Sequence, residues 1–98
     1  MGVAEIAEKL RPRVESSGFS RSVKLDTGGD GVIVIDGASI STADAPADCT
    51  IRLSIADLED LIAGDLSPTM AFMTGKLKIN GDMSVALQLQ PLLAGARG

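Results

Sequence analysis

The stretch SPTMAFMTGKLKINGD, Ser67 to Asp82, changes its period partway along. Met70, Phe72 and Met73 crowd into four positions, and strict alternation then runs from Lys76 to Asn80 between Gly75 and Gly81. Ser67 stands where an N-cap belongs, and Pro68 occupies the first helical position, where an amide would lack an intrahelical partner anyway. A short helix ending at Gly75 is predicted, followed by a strand with Leu77 and Ile79 inward. Gly81 turns the chain. Asp82 caps a last helix whose inner face carries Met83, Ala86 and Leu87 and extends to Gln90. Pro91 interrupts that helix and leaves Leu92 and Leu93 in a short apolar tail.

Upstream, CTIRL places Cys49, Ile51 and Leu53 on one side of a strand and Thr50 and Arg52 on the other. Ser54 then caps a helix, with Asp57 at N3 and a staple between Leu53 and Leu58. Ile55, Leu58, Leu61 and Ile62 form its apolar face, and Gly64 fits the position that ends it. Further upstream, SVKLD, GVIVIDG and ASIS are three short β-type runs punctuated by TGGDG and Gly37, which read as an antiparallel meander. TADAPAD is a loop. Val3, Ile6, Ala7, Leu10 and Val14 recur at helical spacing, with a kink or restart expected at Pro12. The order is helix, three strands, crossover, strand, two helices, strand, helix. That predicts one α+β domain over residues 1–98, with helices gathered on one face of a mainly antiparallel sheet.

Composition narrows the function classes. With 45% hydrophobic residues and a mean hydropathy of +0.25, the chain can fold without metal or disulfides. Two Phe and no Trp or Tyr leave the core to Leu, Ile, Val and Met, which adapt to changes of shape better than rings do. A net charge of −4 and the missing aromatic platforms argue against nucleic acid. Cys49 is the lone cysteine, read as a small buried hydrophobe in a reducing compartment. The N-terminal stretch lacks a signal-peptide core, no run is long enough for a membrane span, and ARG at the C-terminus is no peroxisomal address. The cytoplasm is the expected location.

Catalytic chemistry finds little purchase. Without histidine, Ser-His and Cys-His pairs cannot be built, and a zinc site lacks ligands. No catalytic residue, metal or cofactor is expected. Asp57, Asp60 and Asp65 leave an acid–base role open beside their simpler reading as a solvated helix face. TGGDG joins two strands and opens no helix, so it reads as a tight hairpin rather than a phosphate loop. What stands out is soft apolar bulk converging on one layer. It suits either an ordinary filled core or a cavity between sheet and helices for an apolar small molecule.

Residues 47–93 resemble the sterol carrier protein 2 family. The resemblance rests on Ala47-Asp48 before alternating Cys49, Ile51 and Leu53, on Ser54-x-x-Asp57-Leu58, and on Gly64-x-Leu66-x-Pro68. Its most specific part is AFMTGKLKINGD, Ala71 to Asp82. It implies a five-stranded α+β fold with a hydrophobic tunnel beneath the helices, and noncatalytic binding and transfer of fatty acid, fatty acyl-CoA, sterol or phospholipid. Carried over, Leu53, Leu58, Leu61, Ile62 and Leu66 would line the tunnel from one helix and its flanks. Met70, Phe72 and Met73 would line it from the next, with Phe72 and Met73 inward and Met70 near a mouth. Leu77, Ile79, Met83 and Leu87 would form the floor and far side. Members often carry a final helix that helps close the tunnel, so a stand-alone short member is expected. Acyl-CoA phosphates would need cations near the mouth, for which Lys24, Arg52, Lys76 and Lys78 are candidates.

A ligand pocket occupies at least ~300 Å³. At about 24 cal/mol per Å³, a dry hole of that size would cost roughly 7 kcal/mol, against a typical ~5–15 kcal/mol of domain stability. The space is therefore expected to be filled, partly wet or partly collapsed. The competing reading is a structural or interaction module with a solid core, where Leu92, Leu93 or Met70 docks a partner. A lipid is the expected small-molecule partner, and transient membrane contact and a homodimer stay open.

Overall fold

The computed structural model describes residues 2–93, with the side chain of Leu93 outside the described set. Helix α1 (Val3–Ser16) leads into the meander β1 (Ser22–Asp26), β2 (Val32–Asp36) and β3 (Ser39–Ser41). After the loop come β4 (Cys49–Arg52), α2 (Ile55–Ala63), α3 (Pro68–Met73), β5 (Lys78–Gly81) and α4 (Met83–Leu93). The five strands form one sheet in the order β3-β2-β1-β4-β5. Every pairing is antiparallel except β1 with β4, which are parallel, with Leu25 beside Ile51.

The pleat sorts side chains as the alternation predicts. Val23, Leu25, Ile33, Ile35, Ile40, Cys49 and Ile51 point to one face and join the core with Ile6, Leu10 and Val14 of α1 and Val85 and Leu89 of α4. Lys24, Thr50, Arg52 and Lys78 point to the other face, where the Lys24 ammonium pairs with Asp44 of the long loop at 2.6 Å. TGGDG is a tight connection: a 3₁₀ turn at Gly28–Asp30, closed by the Thr27 amide donating to the Gly31 carbonyl at 3.0 Å. Ser54 caps α2, accepting the Asp57 amide at 3.0 Å, and Gly64 ends it in the left-handed region at φ 84°. Ser67 and Pro68 hold their expected places on α3, although the Ser67 hydroxyl makes no capping bond.

Both prolines placed inside helices depart from expectation, since α1 runs through Pro12 and α4 through Pro91 without a break. Proline removes one amide, leaving the carbonyls of Glu8 and Leu87 without their usual donor. Glu8 and Leu87 are exposed, so water can take both carbonyls and the helices continue. The Pro91 carbonyl also accepts Arg13 Nη1 at 3.0 Å, which ties the end of α1 to α4.

A parallel pair cannot be joined by a hairpin, so β1 and β4 need another device to set their register. The Ser22 amide donates to Asp48 Oδ2 at 3.2 Å, and the Asp48 amide donates to Ser22 Oγ at 2.8 Å. Arg21 then bridges Asp48 at 3.4 Å and Asp82 at 3.1 Å, while Asp82 caps α4 by accepting the Ser84 amide at 2.9 Å. Between them Gly81 sits at φ 112°, and a Cβ there would lie 2.6 Å from the Asp48 carbonyl oxygen.

Gly81→Ala is expected to destabilise the fold by about 2–3 kcal/mol in a denaturant melt, from strain and backbone collision together. Gly29→Ala, with nothing within 4 Å of its added Cβ, is expected to be near neutral. A second expectation concerns acid. The Ser84 hydroxyl and amide, with Arg21, hold the Asp82 carboxyl below its usual range; the Ser22 amide and side chain, with Arg21, do the same for Asp48. Their stabilisation is present in full above the unfolded Asp value of about 3.9 and is lost as pH falls through the lower folded values. Asp82→Asn should therefore flatten the acid limb of a stability-against-pH curve, and an unchanged limb would contradict this.

Candidate functional site

The twelve apolar residues expected around a ligand divide into two groups. Leu58, Leu61 and Ile62 of α2 are fully buried, Leu53 and Leu77 nearly so, and Leu66 and Ile79 pack partly buried against the same core. Leu58, Leu61 and Ile62 belong to the one core cluster that also holds the inner face of the sheet. The other five stand outside: Met70 is 54% exposed, Phe72 44%, Met73 73%, Met83 43% and Leu87 59%.

That division follows from how α3 and α4 are held. The amides of Lys76 and Leu77 both donate to the Ala71 carbonyl, at 2.8 and 3.2 Å, folding the chain tightly back under the helix. Pro68 and Ala71 take the buried side of α3, leaving Phe72 and Met73 on the exposed side with Met70. The expected inward orientation of Phe72 and Met73 is thus corrected: the position next to the sheet belongs to a small residue. On α4 the buried face is Val85, Ala86, Leu89 and Leu92, rather than Met83, Ala86 and Leu87. This helix is apolar on both sides, so its pattern does not tell which side is inner. Its cap at Asp82, held by Arg21, sets the phase. Leu92 is buried, while the Leu93 side chain lies outside the described residues.

The sequence pointed to four cations near a mouth, and the structure brings three together. A groove of about 470 Å³ is lined by Asp26, Thr27, Gly28, Arg52, Leu53, Lys76 and Lys78. An adjoining groove of about 460 Å³ adds Lys24, Thr50, Ile79 and Asn80 while sharing Asp26, Arg52 and Lys78. Neither is lined by Leu58, Leu61 or Ile62. The contribution of Asp26, Thr27 and Gly28 has no sequence signal, because β1 and its following turn reach this groove only through the parallel pairing with β4.

The remaining chemistry is quiet. Asp57 faces Lys76 at 3.8 Å, and burial pushes the Cys49 thiol up, away from the reactive thiolate. Among the described residues no three His, Cys, Asp or Glu side chains gather as a metal site, and no helix is long and apolar enough to cross a membrane.

The profile of the SCP-2 sterol transfer family matches residues 4–94. Sterol carrier protein 2 of Bos taurus is 41% identical over 80 residues, which cover 76% of this chain but only 15% of that protein's length. The solution structure of sterol carrier protein domain 2 of Helicoverpa armigera aligns at a TM-score of 0.57 and 31% identity, over 98% of this chain and 80% of that one. The crystal structure of sterol carrier protein 2 like 2 from Aedes aegypti aligns at 0.73 and 19% identity, over 91% and 94%. The Ser22–Asp48 staple and the Gly81-Asp82 corner give physical sense to the motif from Asp48 to Asp82, and the chain belongs to the SCP-2 sterol transfer family, whose members are generally carriers of lipid rather than catalysts.

Proposed function

We propose that this domain binds and transfers an apolar lipid without chemical change, receiving it on the exposed apolar sides of α3 and α4 and admitting its chain beneath α3. The observation that carries this reading is the set Met70, Phe72, Met73, Met83 and Leu87, all exposed on the two helices that flank β5. Single exposed apolar residues are ordinary, but five large ones between residues 70 and 87 need a partner. The ligand class is a fatty acid, fatty acyl-CoA, sterol or phospholipid. Flexible methionine walls suit guests of differing shape. The lone buried thiol of Cys49 fits a reducing cytoplasm.

Energetics favour a packed resting state that opens over a standing tunnel. Lifting α3 takes few of its own side chains out of the core, because only Pro68 and Ala71 of its six residues are buried. It breaks the two bonds to the Ala71 carbonyl, at about 0.5–1.5 kcal/mol each. That is less than the roughly 7 kcal/mol of a dry 300 Å³ hole. Each methylene of an incoming chain contributes about 0.8 kcal/mol on burial, so a handful suffices to offset the opening.

Titration with a fluorescent fatty-acid analogue should saturate, and ligand at a hundred times its Kd should stabilise the fold by about 2.7 kcal/mol. Met70→Ser with Met73→Ser should leave the ligand-free stability within about 0.5 kcal/mol, since both side chains are solvated, yet weaken binding by roughly tenfold or more. Leu61→Ala should do the reverse to stability, losing about 2–5 kcal/mol. If saturating fatty acid and sterol both leave the melt unmoved, and sedimentation instead shows self-association lost in the methionine variant, the face is a protein interface and the lipid reading fails.

A further inference from the structure

We infer that Met70, Met73 and Met83 are a reversible oxidation site: a peroxide converts their thioethers to sulfoxides, and the lipid-receiving face loses affinity for an apolar guest while the fold stays intact. The inference rests on the reading that this face meets lipid, and adds how its grip is regulated.

Methionine is ordinarily core material, a flexible side chain that fills irregular gaps. This chain uses it otherwise. Three of its four methionines lie within the described residues, and the core cluster, built of Leu, Ile, Val, Ala, Phe and Cys, contains none of them. Instead Met70 is 54% exposed, Met73 73% and Met83 43%. Met70 and Met73 are three positions apart on α3 and so share a side of it, and Met83 opens α4 just beyond β5. Other oxidisable groups are withdrawn or missing. Cys49 is 1% exposed and burial holds its thiol above the usual range, so it offers a peroxide neither access nor thiolate. Trp, Tyr and His are absent from the chain. Within the described residues, the three exposed thioethers are what a mild peroxide meets.

The chemistry is an oxygen transfer. A methionine sulfur gives its lone pair to one oxygen of hydrogen peroxide, and the S–O bond forms as the O–O bond breaks. The proton left on the transferred oxygen passes to the departing hydroxide, which leaves as water. Sulfur is oxidised and the peroxide reduced. The return step uses a dithiol through methionine sulfoxide reductase, the oxygen leaving as water and the dithiol becoming a disulfide. A sulfoxide is a strong acceptor that holds water where the thioether sheds it. Pressing it against a hydrocarbon chain strips that hydrogen bond and supplies nothing in return. None of the three side chains belongs to the core, so the same oxidation leaves the folded domain as it was. A methionine buried in a core would instead disrupt its packing when oxidised.

The test treats the full chain with hydrogen peroxide, maps the added oxygen by peptide mass spectrometry, and compares fluorescent fatty-acid binding before and after. Met70, Met73 and Met83 should each gain one oxygen while Cys49 gains none. Affinity should fall roughly tenfold or more, the denaturant midpoint should hold, and methionine sulfoxide reductase with dithiothreitol should restore binding. The variant Met70→Leu/Met73→Leu/Met83→Leu, whatever its own starting affinity, should show the same affinity after peroxide as before. Binding that survives complete sulfoxidation overturns the inference, as does an equal loss in the leucine variant or unfolding of the oxidised wild type. A wild type that fails to bind the analogue before any peroxide is added overturns the lipid reading itself and takes the inference with it.

Discussion

Gly81 has to pass against the Asp48 carbonyl, and the helical layer takes its place from that passage. No side chain fits there, because a Cβ would sit 2.6 Å from the carbonyl oxygen. The close approach lets β5 pair with β4 to its last residue and delivers Asp82 to the start of α4. Arg21 then holds Asp82 and Asp48 together, and Asp48 is the residue that zips β4 to β1. The one parallel pairing of the sheet, the edge strand and the covering helix thus share a single corner.

The consequence reaches the surface. Helix α4 carries apolar residues on more than one side, with Ser84 and Gln88 exposed between them, so its sequence leaves the inner side open. Fixing its phase at Asp82 gives Val85, Ala86, Leu89 and Leu92 to the core and leaves Met83 and Leu87 outside. Helix α3 is held by its buried Pro68 and Ala71 and by the return of the chain to the Ala71 carbonyl, and it presents three bulky residues outward. Among the described residues, Leu58, Leu61 and Ile62 are therefore core and the exposed apolar set lies elsewhere. One apolar set is buried in the core and a second, Met70, Phe72, Met73, Met83 and Leu87, is exposed.

Much of the architecture was readable from local pattern. The alternation of Cys49, Ile51 and Leu53, the cap at Ser54, the stop at Gly64 and the meander before the long loop each rest on physics that acts within a few residues. Pro12 and Pro91 were misleading, because the cost of a lost helical bond depends on whether the freed carbonyl meets water, and that depends on which side of the helix is covered. The inward side of α3 was misread for a related reason. Bulk and hydrophobicity favoured Phe72 and Met73, whereas the tight return to β5 left room only for Ala71.

Sequence by itself determined the element order, the α+β class and the family, since periodicity, caps and the Ala71–Asp82 motif are written in adjacent residues. It also supplied a lipid-compatible stock of flexible apolar side chains. Only tertiary structure decided which of them are core and which are surface, and that Arg52, Lys76 and Lys78 meet Asp26 and Gly28 at one groove. Those outcomes depend on the parallel register of β1 and β4 and on the phase of α4. The register is set by Ser22 against Asp48 and the phase by Asp82 under Arg21, contacts between residues far apart in the chain that no local spacing encodes.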